Sequence, residues 1–199
     1  MQSLIYLLRH GEIEKFPPRC FLGQTDLSLN AQGIHQAERL RQTLSEIPFR
    51  HVFSSPLNRA VQTATLVSGR LAAEIELIDA FREINLGTWE GLTAAEVRQR
   101  FPGAYEDRGL NMGTFRPKQG ESFADVATRA LPALQAIASK HRGPTLIVAH
   151  AGVNRVLLSC LQNLPLDTLL QIPQDYCGIN ILQHDSEGLK VQAINKKLY

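Results

Sequence analysis

The chain has 199 residues, 44% of them hydrophobic and 20% charged, with a formal net charge of +2. That length points to one domain with a sizeable core, and so small a charge, with no run of five like charges, argues against nucleic-acid or anionic-membrane partners. Cys20, Cys160 and Cys177 are widely spaced without a CxxC pair, no apolar stretch reaches membrane-spanning length, and MQSLIYLLRH lacks a basic leader, so a cytoplasmic protein with reduced thiols is expected.

Leu4–Leu8 is an apolar run without alternation, the pattern of a strand buried on both faces. NAQGIHQAERLRQTLSEI spaces Ile34, Ala37, Leu40, Leu44 and Ile47 at near-helical intervals and predicts an amphipathic helix. HVFSS is a second short strand. In SPLNRAVQTATLVSGRL, Ser55 as N-cap and Pro56 in the first turn predict a helix with Leu57, Ala60, Val61, Ala64, Val67 and Leu71 on its apolar face. Ile75–Ile78 is a third strand. From about Gly87 to Gly120 the text is irregular and rich in glycine, arginine and aromatics, with one short helix after Thr93; it reads as an insertion capping one end of the sheet.

GESFADVATRALPALQAIASKH begins a helix with Ser122 and Asp125 as a capping pair, and Pro132 within it predicts a kink. TLIVAH is another buried strand and runs into the apolar helix AGVNRVLLSCLQ. GINILQHD and LKVQAIN, joined through Ser186, Glu187 and Gly188, form a closing hairpin. This alternation predicts an α/β fold, a three-layer sandwich around a mostly parallel sheet, in a single domain over residues 1–199.

Two buried runs end alike: LIYLL enters Arg9, His10 and Gly11, and TLIVA enters His150 and Gly152. Ligands of open α/β sheets bind beyond the carboxyl ends of the strands, and His150 also opens a helix whose first N–H groups favour an anion. A lone histidine at a strand end is usually a solvated residue; two at equivalent ends, one beside an arginine, point to a site. Arg59 follows the HVFSS strand and could offer its planar fork to a phosphate or carboxylate. Glu83 sits in the loop after the third strand. The set is a poor metal site, because arginines repel cations and no cysteine or carboxylate cluster joins them. No GxSxG elbow and no GxxxxGK[ST] loop occurs. It suits a phosphoryl group, which needs fixed positive charge, a nucleophile and an acid for the leaving oxygen.

LRHGE, GQTDLSLNAQG, SSPLNRAVQTA, EINLGTWEGL, GES and VAHAGVNR resemble, in this order, the histidine phosphatase superfamily of phosphoglycerate-mutase-like proteins. The resemblance implies a phosphohistidine mechanism without cofactor or metal. His10 would attack phosphorus, while Arg9, Arg59 and His150, with backbone N–H near Ala151, would bind the phosphoryl oxygens. Glu83 would protonate the leaving alkoxide and then take a proton from the hydrolytic water. This requires a neutral His10 with its other ring nitrogen held by an acceptor, and a Glu83 that carries its proton when substrate is bound.

Against the mutases, Ile13 and Phe16 replace polar substrate contacts, and Ile84 and Leu86 stand where the mutases carry arginine and tyrosine. The small branch acting on phosphohistidine proteins lacks the 87–120 insertion. RHGE with RCFLGQTDLSLN and GTWEGL is most similar to the α-ribazole phosphatases of cobalamin biosynthesis, so α-ribazole 5′-phosphate is the first expected substrate. The alternatives are a phosphoserine or broad-specificity sugar or glycerate phosphatase, a phosphoglycerate mutase, and a non-enzymatic phospholigand sensor. Arg82, Arg98, Arg108 and Arg116 could read a carboxylate, and Trp89, Phe101, Tyr105 and Phe115 could stack on a base or form the insertion's own core. The expected partner is a small phosphate monoester, and an exposed sheet edge could pair two subunits as a homodimer.

Overall fold

The computed structural model describes residues 3–14 and 18–198; Phe16, one of the positions set against the mutases, lies outside them. Strands β1 (Ser3–Arg9), β2 (His51–Ser54), β3 (Glu76–Leu77), β4 (Thr145–Ala149), β5 (Ile179–Asp185) and β6 (Gly188–Lys196) form one sheet in the order β3-β2-β4-β1-β5-β6. The first four are mutually parallel; β5 runs antiparallel to β1, and β6 pairs antiparallel with β5 at the sheet edge. Helices α1 (Ala31–Thr43), α2 (Asn58–Ser68), α5 (Phe123–Lys140) and α6 (Ala151–Leu161) cover the faces, as parallel strands require crossovers.

Alternate side chains of the central strands feed two cores. Tyr6, Leu8, Val52, Leu146 and Val148 pack on one face with Ala37 and Leu40 of α1 and Ala60, Ala64 and Val67 of α2. Ile5, Leu7, Phe53, Ile147 and Ala149 pack on the other with Val126, Ala130 and Leu134 of α5 and Val153 and Leu157 of α6. Both faces are dry, which is why these strands read as unbroken apolar runs. The α/β three-layer sandwich follows directly.

Local structure departs from the sequence reading at several points. Ile34 is 39% exposed and Leu71 72%, while the inward face of α1 is Gly33, Gln36, Ala37 and Leu40. The loop after β1 presses on that face: Glu12 N–H donates to Gln36 Oε1 at 2.9 Å, and a Cβ on Gly11 would lie 2.7 Å from the Gly33 carbonyl. Helix α2 begins at Asn58, not at Pro56, and Ser55 does not cap it. Its first N–H is met instead by the Asp26 carboxylate at 2.7 Å. The third strand shrinks to two exposed residues at the sheet edge.

Pro132 does not break α5, which runs without interruption. Both Pro132 and Thr128, whose carbonyl loses its N–H partner, face water, so the freed oxygen can be solvated while Val126, Ala130, Leu134 and Ile137 keep the inner face buried. Segment 87–120 holds two short α-helices, α3 (Ala94–Arg100) and α4 (Ala104–Leu110), and a 3-10 turn at Gly87–Trp89, rather than one short helix. Trp89 is core, 1% exposed, with its ring 5.3 Å from Phe21 and 5.2 Å from Phe115; Phe101 and Tyr105 pack beside it. Arg82, Arg98 and Arg116 pair with Asp79, Glu106 and Asp125, and Arg108 lies over the Phe21 ring. Among the described residues no helix is long and apolar enough to cross a membrane.

Candidate active site

Strand register brings the two histidines together. In the parallel pair β1–β4, Arg9 lies opposite Ala149, so His10 and His150, each one residue past its strand, are neighbours. His10 N–H donates to the Ala149 carbonyl at 3.1 Å, and the two ring centroids are 5.1 Å apart. On the other side of β4, Ser54 lies opposite Val148, which sets the buried Ser55 hydroxyl 2.7 Å from His150 Nε2.

His10 is 4% exposed, and its Nδ1 lies 2.7 Å from the Gly11 carbonyl. A carbonyl only accepts, so Nδ1 carries the proton and Nε2 the lone pair. Burial first, then the charges of Arg9 and Arg59, hold the His10 pKa well below the usual histidine range. His150 is lowered likewise, by burial and then by His10, Arg59 and Arg9. Both imidazoles are therefore neutral at pH 7.

Arg9 donates through Nη1 to the Gln174 carbonyl at 2.7 Å and lies over the Tyr176 ring, 3.8 Å from its centroid. Arg59, 2% exposed in the first turn of α2, donates through Nη1 to the Thr25 carbonyl at 2.7 Å and through Nη2 to that of Gly23 at 2.8 Å. Burial lowers the pKa of each guanidinium from its very high ordinary value. Thr63 Oγ1 ties the loop to the helix, accepting from Gly11 N–H at 3.0 Å and donating to the Arg59 carbonyl at 2.7 Å. Among the described residues, Arg9 Nε, Arg59 Nε and His150 Nδ1 are buried without a hydrogen-bond partner. Orphaned buried polar groups are costly, and these three sit on His150 and on two guanidiniums close enough to shift the pKa of His10 and His150, where a bound oxyanion would satisfy them.

Glu83 joins them from the loop after β3. Its Oε1 accepts from Ile84 N–H at 2.9 Å, and its Oε2 accepts from Gly152 N–H at 3.1 Å, in the first turn of α6. A Cβ at Gly152 would collide with this carboxylate, so the approach requires glycine. Arg129 of α5 fixes the acid's backbone, donating to the carbonyls of Ala80 (2.7 Å), Arg82 (2.8 Å) and Glu83 (3.2 Å) and pairing with both oxygens of Glu121. Glu121 in turn accepts from Asn85 N–H at 2.9 Å. Among the described residues no group of three or more His, Cys, Asp or Glu could hold a metal ion.

All five residues singled out from the sequence thus lie at one edge of the sheet. Ser55, Tyr176, Gln174 and Arg129 were not singled out. A model of the histidine phosphatase superfamily (branch 1) matches residues 5–197. The chain belongs to the histidine phosphatase superfamily. Its similarity to named members is spread over most of its length. It is 31% identical over 171 residues to a glucosyl-3-phosphoglycerate phosphatase of Mycolicibacterium vanbaalenii, covering 82% of this chain and 76% of that one. It is 36% identical over 157 residues to phosphoglycerate mutase-like protein 4 of Arabidopsis thaliana, covering 77% and 68%. The solved α-ribazole phosphatase from Shigella flexneri superposes with a TM-score of 0.87 at 26% identity, over 98% of this chain and 97% of that one. As a member of this superfamily with phosphatases among its relatives, the protein is a phosphoric monoester hydrolase.

Proposed function

We propose that the protein hydrolyses phosphate monoesters through a phosphohistidine at His10, without a metal. In the first step the lone pair of His10 Nε2 attacks phosphorus, the bond to the ester oxygen breaks, and Glu83 gives that oxygen its proton. In the second, water attacks the phosphohistidine, Glu83 takes the water's proton, and the N–P bond breaks to release inorganic phosphate. Arg9, Arg59 and His150 hold the non-bridging oxygens, and the fixed guanidinium charge does the work a metal would do in other phosphatases. The observation that carries this reading is a neutral, tautomerically fixed His10 beside His150 and the charges of Arg9 and Arg59, each of these three with a buried, unpartnered side-chain nitrogen.

For the substrate we favour α-ribazole 5′-phosphate, on the RCFLGQTDLSLN and GTWEGL segments and on the likeness to the Shigella flexneri enzyme. We also propose that the chain is one domain in which segment 87–120 caps the pocket. With Trp89 inside the core, base stacking would fall to the half-buried Phe101, Tyr105 and Phe115, and to Phe21 beside them. A glucosyl-3-phosphoglycerate-type ester is the second reading, supported by the Mycolicibacterium vanbaalenii relative. Of the four arginines considered for a carboxylate, Arg82, Arg98 and Arg116 already have acidic partners.

The experiment is nitrophenyl phosphate turnover in EDTA, followed by a denaturing alkaline quench of enzyme mixed with 32P-labelled substrate, to detect a phosphoenzyme that is stable in base and lost on later acid treatment. Wild type should turn over and His10→Ala should neither turn over nor label. A labelled or active His10→Ala protein would reject the mechanism. A monoester panel with α-ribazole 5′-phosphate, phosphoserine and glucosyl-3-phosphoglycerate then ranks kcat/KM.

A further inference from the structure

We infer that Glu90 is a positioning residue that sets the arginine cradle and the proton donor at once through a single carboxylate. The inference rests on the reading of Arg59 as a phosphate ligand and Glu83 as the acid, and assigns a role to a residue outside the catalytic set.

Four donors converge on Glu90. Its Oε1 accepts from Gln24 N–H at 2.8 Å and from Leu86 N–H at 3.2 Å; its Oε2 accepts from Thr25 N–H at 3.3 Å and from the Thr25 hydroxyl at 2.7 Å. These donors belong to two segments without regular structure, and each segment touches the site. The Gly23 and Thr25 carbonyls are the acceptors that aim the Arg59 guanidinium. Gln24 Nε2 donates to the Glu83 carbonyl at 2.8 Å, and Leu86 lies three residues after Glu83 on the same loop. Gly23, at φ +35°, lies so close that a Cβ there would strike the Glu90 carboxylate. An ionised carboxylate suits the position because both of its oxygens accept and neither donates. Cradle and acid arrive from chain segments some sixty residues apart, and Glu90 joins them directly. Displacements of about 1 Å at such a site cost on the order of 100-fold in rate.

The test separates the two halves. Glu90→Ala removes all four contacts and should lower kcat/KM on an alkyl phosphate about 100-fold, weaken orthovanadate inhibition about tenfold, and reduce the alkyl-to-nitrophenyl rate ratio. Glu90→Gln can keep an acceptor for Gln24 and Leu86 but turns its NH2 toward Thr25. It should weaken vanadate about threefold and leave the alkyl-to-nitrophenyl ratio near wild type. Glu96→Ala removes a carboxylate that also accepts from a neighbouring N–H and hydroxyl, both on Thr93, away from the site. It controls for stability and should keep wild-type kinetics. In an Arg59→Ala background, the vanadate effect of Glu90→Ala should vanish.

Wild-type vanadate affinity and wild-type rate ratio in Glu90→Ala would overturn the inference. So would a vanadate effect undiminished without Arg59. If the alanine variant fails to fold, unchanged vanadate affinity in Glu90→Gln overturns it equally. Turnover by His10→Ala would instead sink the underlying mechanism, whatever the Glu90 variants do.

Discussion

The Ser55 hydroxyl lies 2.7 Å from Nε2 of His150, buried at the junction of two neighbouring strands. This contact leaves His150 Nδ1 as the ring's unpartnered atom. If Nδ1 is to donate to a phosphoryl oxygen, Nε2 must accept, and Ser55 is the group that donates to it. Ser55→Ala should therefore lower kcat/KM about tenfold, equivalent to about 1.4 kcal/mol, and weaken vanadate binding in parallel. Ser55→Thr should recover part of both. Steady-state kinetics on the three proteins checks this, and an alanine variant with wild-type vanadate affinity would remove Ser55 from the site's function.

Glu83 can be tested through its leaving-group dependence. Nitrophenol departs without help, whereas an alkoxide needs a proton. Glu83→Gln should depress alkyl phosphate turnover by about 100-fold or more and nitrophenyl phosphate turnover far less. Gly152→Ala should mimic that selectivity in weaker form, since its methyl would displace the carboxylate while His10 stays in place. Equal losses on both substrates would point to general damage.

Stability should fall on acidification. Both His10 and His150 have folded-state pKa values well below those of the unfolded chain, so between the folded values and about 6.5 the unfolded state binds more protons. Stability contributed by these groups is fully present above pH 6.5 and declines as the pH falls beneath it. Thermal melts from pH 7.5 to 5 should show Tm dropping, with a shallower drop for His10→Asn and His150→Asn. The acid limb of kcat/KM should likewise lie below pH 6.5, because only neutral His10 can attack. A limb above pH 6.5 would contradict the burial argument.

Pro132 offers a gain in stability. It interrupts no buried contact and lacks only a hydrogen bond on a wet face of α5. Proline costs about 3 kcal/mol relative to alanine inside a helix, offset by about 1 kcal/mol from its stiffening of the unfolded chain. Pro132→Ala should raise Tm by several degrees with kinetics unchanged, as calorimetry and steady-state assays would show.

The sheet and its two dry faces were legible because burial on both sides leaves uninterrupted apolar runs at Leu4–Leu8 and Thr145–Ala149. The histidines and Arg59 were legible because they sit where such runs end. Arg129 and Glu90 act on backbone carbonyls or amides far away in sequence, Gln174 offers its own backbone carbonyl to the Arg9 side chain, and no local pattern encodes that. Ser55 was hidden differently: Ser-Pro before a helix imitates a cap, while the real cap on Asn58 is supplied from Asp26. Ile34 fell on a helical stripe, yet the loop after β1 claims that face of α1 for Gly33 and Gln36.

The three unpartnered nitrogens of Arg9, Arg59 and His150 bear on product release. If Arg9, Arg59 and His150 hold the phosphoryl group as proposed, they would not distinguish the phosphate just released from the ester to come. Free orthophosphate should thus compete with substrate and raise the melting temperature, tying throughput to the phosphate status of the cell.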